Sequence, residues 1–281
     1  MCVCPFCVFT LGMDEFTYVE YLSRLNPVRL IVGQTIASFS ESALLHSFEL
    51  MTTRLQVAGD YRLSAIRAEV GRVHSDGGVR SFYRGYGITA AMNVPIELLY
   101  RTTYDYNCRT MGHSPFLAGF FADTLISVFQ VPAEVISQRL QIAPRNTPAR
   151  EIVRHLWKTE RLWGFYKTLN IAIMIHPFQA GAWWYFYEIT KKHTTGNIFI
   201  SSCAASVLVS AMFNPVLVVK TQLQTGTSKL SGPKLFFQFV KTKPGRLALL
   251  TAGLVPSMMR SVFEGFIHAF SYETVFKYAK Q

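Results

Sequence analysis

The chain has 281 residues, half of them hydrophobic and 14% aromatic, only 16% charged, with a mean hydropathy of +0.21. This balance leans toward a membrane protein, yet it is too polar for helices that meet lipid on every side, so some helices carry a polar stripe toward water or one another. The net charge of +11 admits nucleic acid, anionic lipid or an anionic solute as partner, and position along the chain decides among them.

Residues 1–27 form an N-terminal extension. Its first twelve residues are apolar but too short and too poor in arginine for a secretory or mitochondrial targeting sequence. Cys2, Cys4 and Cys7 lack a nearby fourth ligand, and with Cys108 and Cys203 they make neither a disulfide framework nor a zinc pattern, so no metal is expected.

Beyond the extension, apolar stretches of about the 20 residues that span a bilayer as helix follow one another at 28–57, 86–109, 114–142, 168–192, 197–225 and 253–279. The three connections 57–84, 142–167 and 225–252 are basic, with sixteen Lys/Arg against five acids, which is the whole of the net charge. The intervening connections, 107–115 and 192–197, are short. Basic loops alternating with apolar spans fit the positive-inside face of one membrane. The aromatic residues lie in the spans rather than among the cations, which argues against a nucleic-acid surface.

A repeat unites these segments. Arg54-Leu55-Gln56 recurs as Arg139-Leu140-Gln141 and Gln222-Leu223-Gln224, at intervals of 85 and 83 residues. Tyr83-Arg84-Gly85 recurs as Tyr166-Lys167-Thr168 and, worn, as Thr251-Ala252-Gly253. Tyr104-Asp105, Tyr187-Glu188 and Tyr272-Glu273 follow, each acid 20 residues after the Gly or Thr of the second marker. Each unit is therefore an apolar helix, a basic amphipathic segment and a second apolar helix, with boundaries at 28–112, 113–195 and 196–281. Small residues recur at helical spacing in the first helix of each unit, among them Gly33 and Ala37, Gly119 and Asp123, and Ser202, Ser206 and Ser210, and they permit close helix approach in lipid.

The unit resembles the repeat of the mitochondrial carrier family. The family's first helix ends in Pro-x-Asp/Glu-x-x-Lys/Arg-x-Arg-Leu-Gln, and its second follows an aromatic-Lys/Arg-Gly turn and ends in Tyr/Phe-Asp/Glu-x-x-Lys/Arg. This chain is similar to a divergent member: the first motif reads Ser47, Glu49, Thr52; then Pro132, Glu134, Ser137; then Pro215, Leu217, Lys220, with Gln56, Gln141 and Gln224 closing the three copies. The resemblance implies an all-α membrane protein with six transmembrane helices in three tandem two-helix repeats, short amphipathic matrix helices and a pseudo-threefold bundle. It implies a multi-pass protein of the mitochondrial inner membrane.

The family's prolines kink the first helices so that charged ends converge and close a cavity toward the matrix. Carried over, Glu49 faces Ser137, Glu134 faces Lys220 and Leu217 faces Thr52, so one matrix-gate ion pair remains, braced by the glutamines. On the cytoplasmic side Tyr104, Asp105, Tyr187, Glu188, Tyr272 and Glu273 remain, while the basic positions read Cys108, Lys191 and Phe276, leaving Asp105 with Lys191. Solute-contact positions fall at Met92 and Asn93, Ile175 and His176, and Arg260 and Ser261. A full charge at membrane depth is costly and usually functional, so Arg260 either anchors a carboxylate or phosphate or pairs with Glu264 one turn on. Glu41 and Glu97 either couple protons or bond neighbouring helices. The turn at Arg84, Gly85 and, in the second copy, Lys167 is a cardiolipin-phosphate site in this family.

No phosphate-cradling loop, metalloprotease helix or nucleophile elbow occurs, so neither an enzyme nor a cofactor is expected. Residues Val131 to Gln141 with Ser137, and Ala182-Trp183-Trp184 to Tyr187, are similar to the branched-chain amino acid carriers of the family. The function implied is alternating-access transport of a small carboxylate or amino acid, with a small-molecule solute, cardiolipin and the membrane as partners. The alternative is a transport-inactive structural subunit belonging to a larger inner-membrane complex.

Overall fold

The computed structural model describes residues 27–264 except 61, 110, 112–114, 145, 195–197 and 229. The described residues form helices and short connections. The order is α1 (Pro27–Ala58), α2 (Leu63–Gly77), a 3₁₀ segment (Gly78–Tyr83), α3 (Tyr86–Arg109), α4 (Pro115–Ile142), α5 (Ala149–Thr159), α6 (Arg161–Tyr166), α7 (Leu169–His193), α8 (Ile198–Thr225), α9 (Gly232–Lys241) and α10 (Lys243–Thr251). A further helix, α11, runs over residues 254–264 to the end of the described residues.

Local chemistry explains these boundaries. Pro27 and Pro115 open α1 and α4, where a missing N–H costs nothing. Gly59 (φ 65°) and Gly226 (φ 74°) follow the ends of α1 and α8 in the left-handed conformation that stops a helix. Pro95, Pro132, Pro177 and Pro215 lie inside α3, α4, α7 and α8, whereas Ser47 leaves α1 without an internal proline.

Helices α1, α4 and α8 touch one another pairwise, and α3 packs on α4 as α7 packs on α8. Beneath them lie three equivalent small cores. Val73 of α2 inserts against Leu50, Met51 and Phe82; Leu156 of α5 against Val131, Val135 and Ala172; and Leu235 of α9 against Val218, Val219, Leu223 and Leu249. Each short amphipathic helix is thus pinned to its own repeat by one buried aliphatic residue, with its charges outward.

Polar side chains share the interior with these apolar cores, and large apolar ones are exposed. Ser127, Ser137, Gln141, Ser201, Asn214 and Gln224 are fully buried, while Ile36, Phe129, Met174, Phe178 and Met212 lie on the outside. The serine row of α8 is used for polar contacts: Trp183 Nε1 donates to Ser206 Oγ (3.0 Å), and Ser210 and Ser261 hydroxyls meet at 3.0 Å. Among the described residues, the segments Phe120–Ile142 of α4 and Ile200–Thr225 of α8 are long and apolar enough to cross a membrane by length and composition.

The turn before the second long helix of each repeat (α3, α7 and α11) differs in the second repeat. Gly85 has φ 88° and Gly253 φ 68°. A Cβ on Gly85 would sit 2.8 Å from Ser137 Oγ and 3.1 Å from its carbonyl oxygen, and one on Gly253 would sit 2.9 Å from the Thr52 carbonyl oxygen. Thr168 holds the same place with φ −114°. Seven residues upstream the exchange is reversed: Gly78 has φ 63°, and its counterpart Arg161 has φ 54°, the one non-glycine in that region among the described residues. Gly85→Ala therefore lowers stability by about 2–4 kcal/mol, combining left-handed strain and overpacking, whereas Arg161→Gly raises it by ~1 kcal/mol. Thermal melts of the purified protein, moving in opposite directions for the two variants, check this.

Candidate functional site

The last four carbonyls of a helix have no partner within it. At the converging ends of α1, α4 and α8, each repeat supplies that partner to the next. Arg54 Nε donates to the Gln141 carbonyl oxygen (3.0 Å), Arg139 Nε to that of Gln224 (2.9 Å), and Gln222 Nε2 to that of Gln56 (3.1 Å). The three contacts run in one sense around the bundle and close a ring. Both arginines also reach an acid within their own repeat, Arg54 Nη1 to Glu69 Oε1 at 2.9 Å and Arg139 Nη2 to Glu160 Oε1 at 2.8 Å. Gln222 cannot form such an ion pair, and 225–252 contains no acid to receive one.

Inside this ring the side chains of the first-helix motifs are bonded unequally. Lys220 Nζ lies 2.8 Å from Glu134 Oε2, with the two side chains only 8% and 18% exposed. Gln224 Nε2 donates to the same oxygen and Gln130 Nε2 to Oε1, each at 2.9 Å. A buried ion pair survives desolvation only when its remaining hydrogen-bonding capacity is filled, and Gln130 and Gln224 do this for Glu134. Gln56 Oε1 accepts from Thr221 Oγ1 at 2.6 Å. The Gln141 amide is buried with no hydrogen-bond partner among the described residues.

At the two positions where no ion pair is expected, the hydroxyls bond elsewhere. Ser137 turns its hydroxyl to the Gly85 carbonyl (3.4 Å), and Thr52 donates back to Phe48 O in its own helix (2.8 Å) while its backbone packs on Gly253. Glu49 instead lies 3.7 Å from Nδ1 of His46.

At mid-bundle, Met92 and Asn93 are half-buried on α3, Ile175 is buried, and His176 Nδ1 lies 3.5 Å from Ser127 Oγ. Arg260 Nη2 stands 3.7 Å from Glu264 Oε1, beyond hydrogen-bond range, with both side chains over a third exposed. Its Nε is buried without a hydrogen-bond partner among the described residues. Ser261 is engaged by Ser210.

Toward the opposite end, Tyr187 is buried and stacks on Trp183 (centroids 5.2 Å apart), with Lys191 Nζ 5.6 Å from its ring centre. The side chains of Tyr104, Asp105 and Glu188, and all of Tyr272 and Glu273, lie outside the described residues. At the Tyr83-Arg84-Gly85 turn, Arg84 donates to the Pro144 carbonyl of the next repeat. Burial, then the charge of Arg54, push its guanidinium below the ordinary value. Lys167 is half-buried at the equivalent turn. Among the described residues no group of three or more metal-ligating side chains comes together.

Sequence reasoning missed the arginine–carbonyl ring, the roles of Glu69 and Glu160, and His46. The first two had a signal: the marker arginines recur, and each basic segment that follows one carries an acid. His46 had none.

The family described as mitochondrial carrier protein matches residues 23–115, 111–198 and 192–281. The chain belongs to the mitochondrial carrier family. It is 25% identical to mitochondrial substrate carrier family protein J of Dictyostelium discoideum, over 90% of this chain and 92% of that one. It is 26% identical to a mitoferrin of Caenorhabditis briggsae over 83% and 80% of the two chains. A mitochondrial S-adenosylmethionine carrier protein of Xenopus laevis is 24% identical over 85% and 92%. A carrier of this family is a mitochondrial membrane protein, which agrees with the buried polar and exposed apolar side chains of the helices.

Lys220→Met strands the Glu134 carboxylate in the bundle of this carrier and costs about 3–5 kcal/mol, while the double variant Glu134→Gln/Lys220→Met recovers most of that loss. A thermal-melt double-mutant cycle measures both.

Proposed function

We propose that the protein is an inner-membrane carrier that moves a small carboxylate or amino acid by alternating access. The reading takes three repeats (28–112, 113–195 and 196–281) as three membrane hairpins, six spans in pseudo-threefold order. The short helices α2, α5, α9 and α10 then lie at the matrix face, as their basic segments require. The observation that carries it is Arg260: a cation midway along the bundle, bonded incompletely to Glu264 and open on one side, costs more than an apolar residue unless a solute completes its bonding. Its fork suits a carboxylate. Met92, Asn93, Ile175, His176 and Ser261 are the neighbouring contacts in this reading. The relative named for S-adenosylmethionine, itself an α-amino acid, is compatible with that class.

The Glu134–Lys220 pair with Gln56, Gln141 and Gln224 is assigned to the matrix gate, and Asp105, Glu188, Glu273, Lys191 and the three tyrosines to the cytoplasmic gate. Arg84, Gly85 and Lys167 are assigned to cardiolipin. A second reading, a transport-inactive subunit of a larger inner-membrane complex, draws on the absence of an ion pair at Ser137 and Thr52.

Two experiments test this. In proteoliposomes offered a panel of amino acids and carboxylates, the wild type takes up at least one, and Arg260→Gln loses roughly 10–100-fold of that uptake while still melting cooperatively. Unchanged uptake would assign Arg260 to Glu264 alone. No uptake of any solute, with stoichiometric migration in a large native complex, would leave the structural subunit. For topology, 57–84, 142–167 and 225–252 resist protease in mitoplasts and are cleaved only after the inner membrane is opened; cleavage from outside overturns the six-span arrangement.

A further inference from the structure

Along α4 the exposed side chains Leu117, Phe121, Leu125 and Phe129 recur every fourth residue and form one apolar stripe. The opposite side of the helix carries Asp123, Gln130 and Glu134, at the i, i+7, i+11 spacing that keeps side chains on one face. Glu134 meets Lys220 of α8, so this face looks into the bundle. Asp123 lies on it about 16 Å along the axis from Glu134, away from the converging ends. Packing fixes both flanks. Ala122 and Ile126 are buried with Tyr100, Ile96 and Leu99 of α3, while Ser127, one turn on, is fully buried with its hydroxyl 3.5 Å from His176 Nδ1 of α7. Asp123 therefore stands one turn from the level of His176.

The repeat shows what this position does elsewhere. Counted from the Leu-Gln marker, its counterparts in the first and third repeats are serines, Ser38 and Ser206. Ser206 is buried and accepts from Trp183 Nε1 at 3.0 Å, a bond that ties α8 to α7. Asp123 makes no such tie: its carboxylate is half-buried, with neither a hydrogen bond nor an ion pair among the described residues. The Gln130 amide on the same face is already given to Glu134. A carboxylate inside a membrane bundle is costly and is kept where a cation completes it. We infer that Asp123 binds an ammonium group of the solute, so that the transported compound is an amine-bearing carboxylate rather than a plain one. This rests on the carrier reading and narrows it: Arg260 takes the carboxylate, and Asp123 takes the amine through charge-assisted hydrogen bonds.

The test offers proteoliposomes matched pairs of solutes, each amino acid beside the same carbon skeleton without its amine. Wild type takes up the amine-bearing member at least about 10-fold faster. Asp123→Asn, which keeps the shape and removes the charge, loses roughly 10–100-fold of that uptake and with it the preference for the amine; Asp123→Ser, the residue of the other two repeats, does the same. Equal loss for both members of a pair, or no loss, overturns the ammonium site and leaves the carrier reading standing. Should no solute be taken up, the carrier reading fails, and melting temperatures of the purified protein with the same solutes decide the site. Amine-bearing members that raise the melting temperature of wild type but not of Asp123→Asn support it; an equal shift in the two proteins, or none, overturns it.

Discussion

Helix ends in a place with little water must have their carbonyls satisfied by protein, and the rest of this structure depends on how that is done. Three long helices end together, and each end is closed by a side chain from the preceding helix in the ring: Arg54 on Gln141, Arg139 on Gln224, Gln222 on Gln56. Each of these ends is satisfied by another repeat, and with three copies the contacts close on themselves. The same ring fixes the register of α1, α4 and α8. That register places Gln224 and Lys220 on Glu134, and Thr221 on Gln56.

Polar groups inside the bundle are likewise satisfied by neighbouring helices. The facing sides of α7 and α8 carry polar groups that bond one another, as Trp183 does with Ser206 and Thr194 with Ser201. Apolar bulk such as Phe129 and Phe178 is left outside, where lipid rather than a core accommodates it. The interior then offers polar groups with spare bonding capacity, Arg260 above all.

The repeats and helices were legible because periodicity and spacing are local: the three markers set the unit, and the apolar stretches at 28–57, 86–109 and 114–142 appear as Pro27–Ala58, Tyr86–Arg109 and Pro115–Ile142. The proximity of Glu134 and Lys220 was legible too, since both residue types stand at motif positions. The orientation of Ser137 was not. It depends on how closely α4 approaches the turn at Gly85, and no property of Ser137 in the sequence reports that distance. Nor was His46 legible, because its meaning lies in one backbone carbonyl that folding brings to its Nε2 from 38 residues away.

Where one copy departs from the repeat, a neighbouring residue departs with it. Where the third copy has Gln222 instead of arginine, the segment after it has no acid to be stranded. In the second copy, Thr168 replaces a glycine and its backbone has left the left-handed region, which Arg161 enters seven residues upstream in place of Gly78. The first copy lacks the cation opposite Glu49, and His46 stands within 3.7 Å of the orphaned acid. Random loss would leave buried charges unpaired, each costing several kcal/mol in a bundle with few to spare. Here Gln222 faces no acid, Thr168 and Arg161 exchange the left-handed position, and the Glu134–Lys220 pair between α4 and α8 has its remaining hydrogen-bonding capacity filled by Gln130 and Gln224, so the converging end leaves few charges to be stranded.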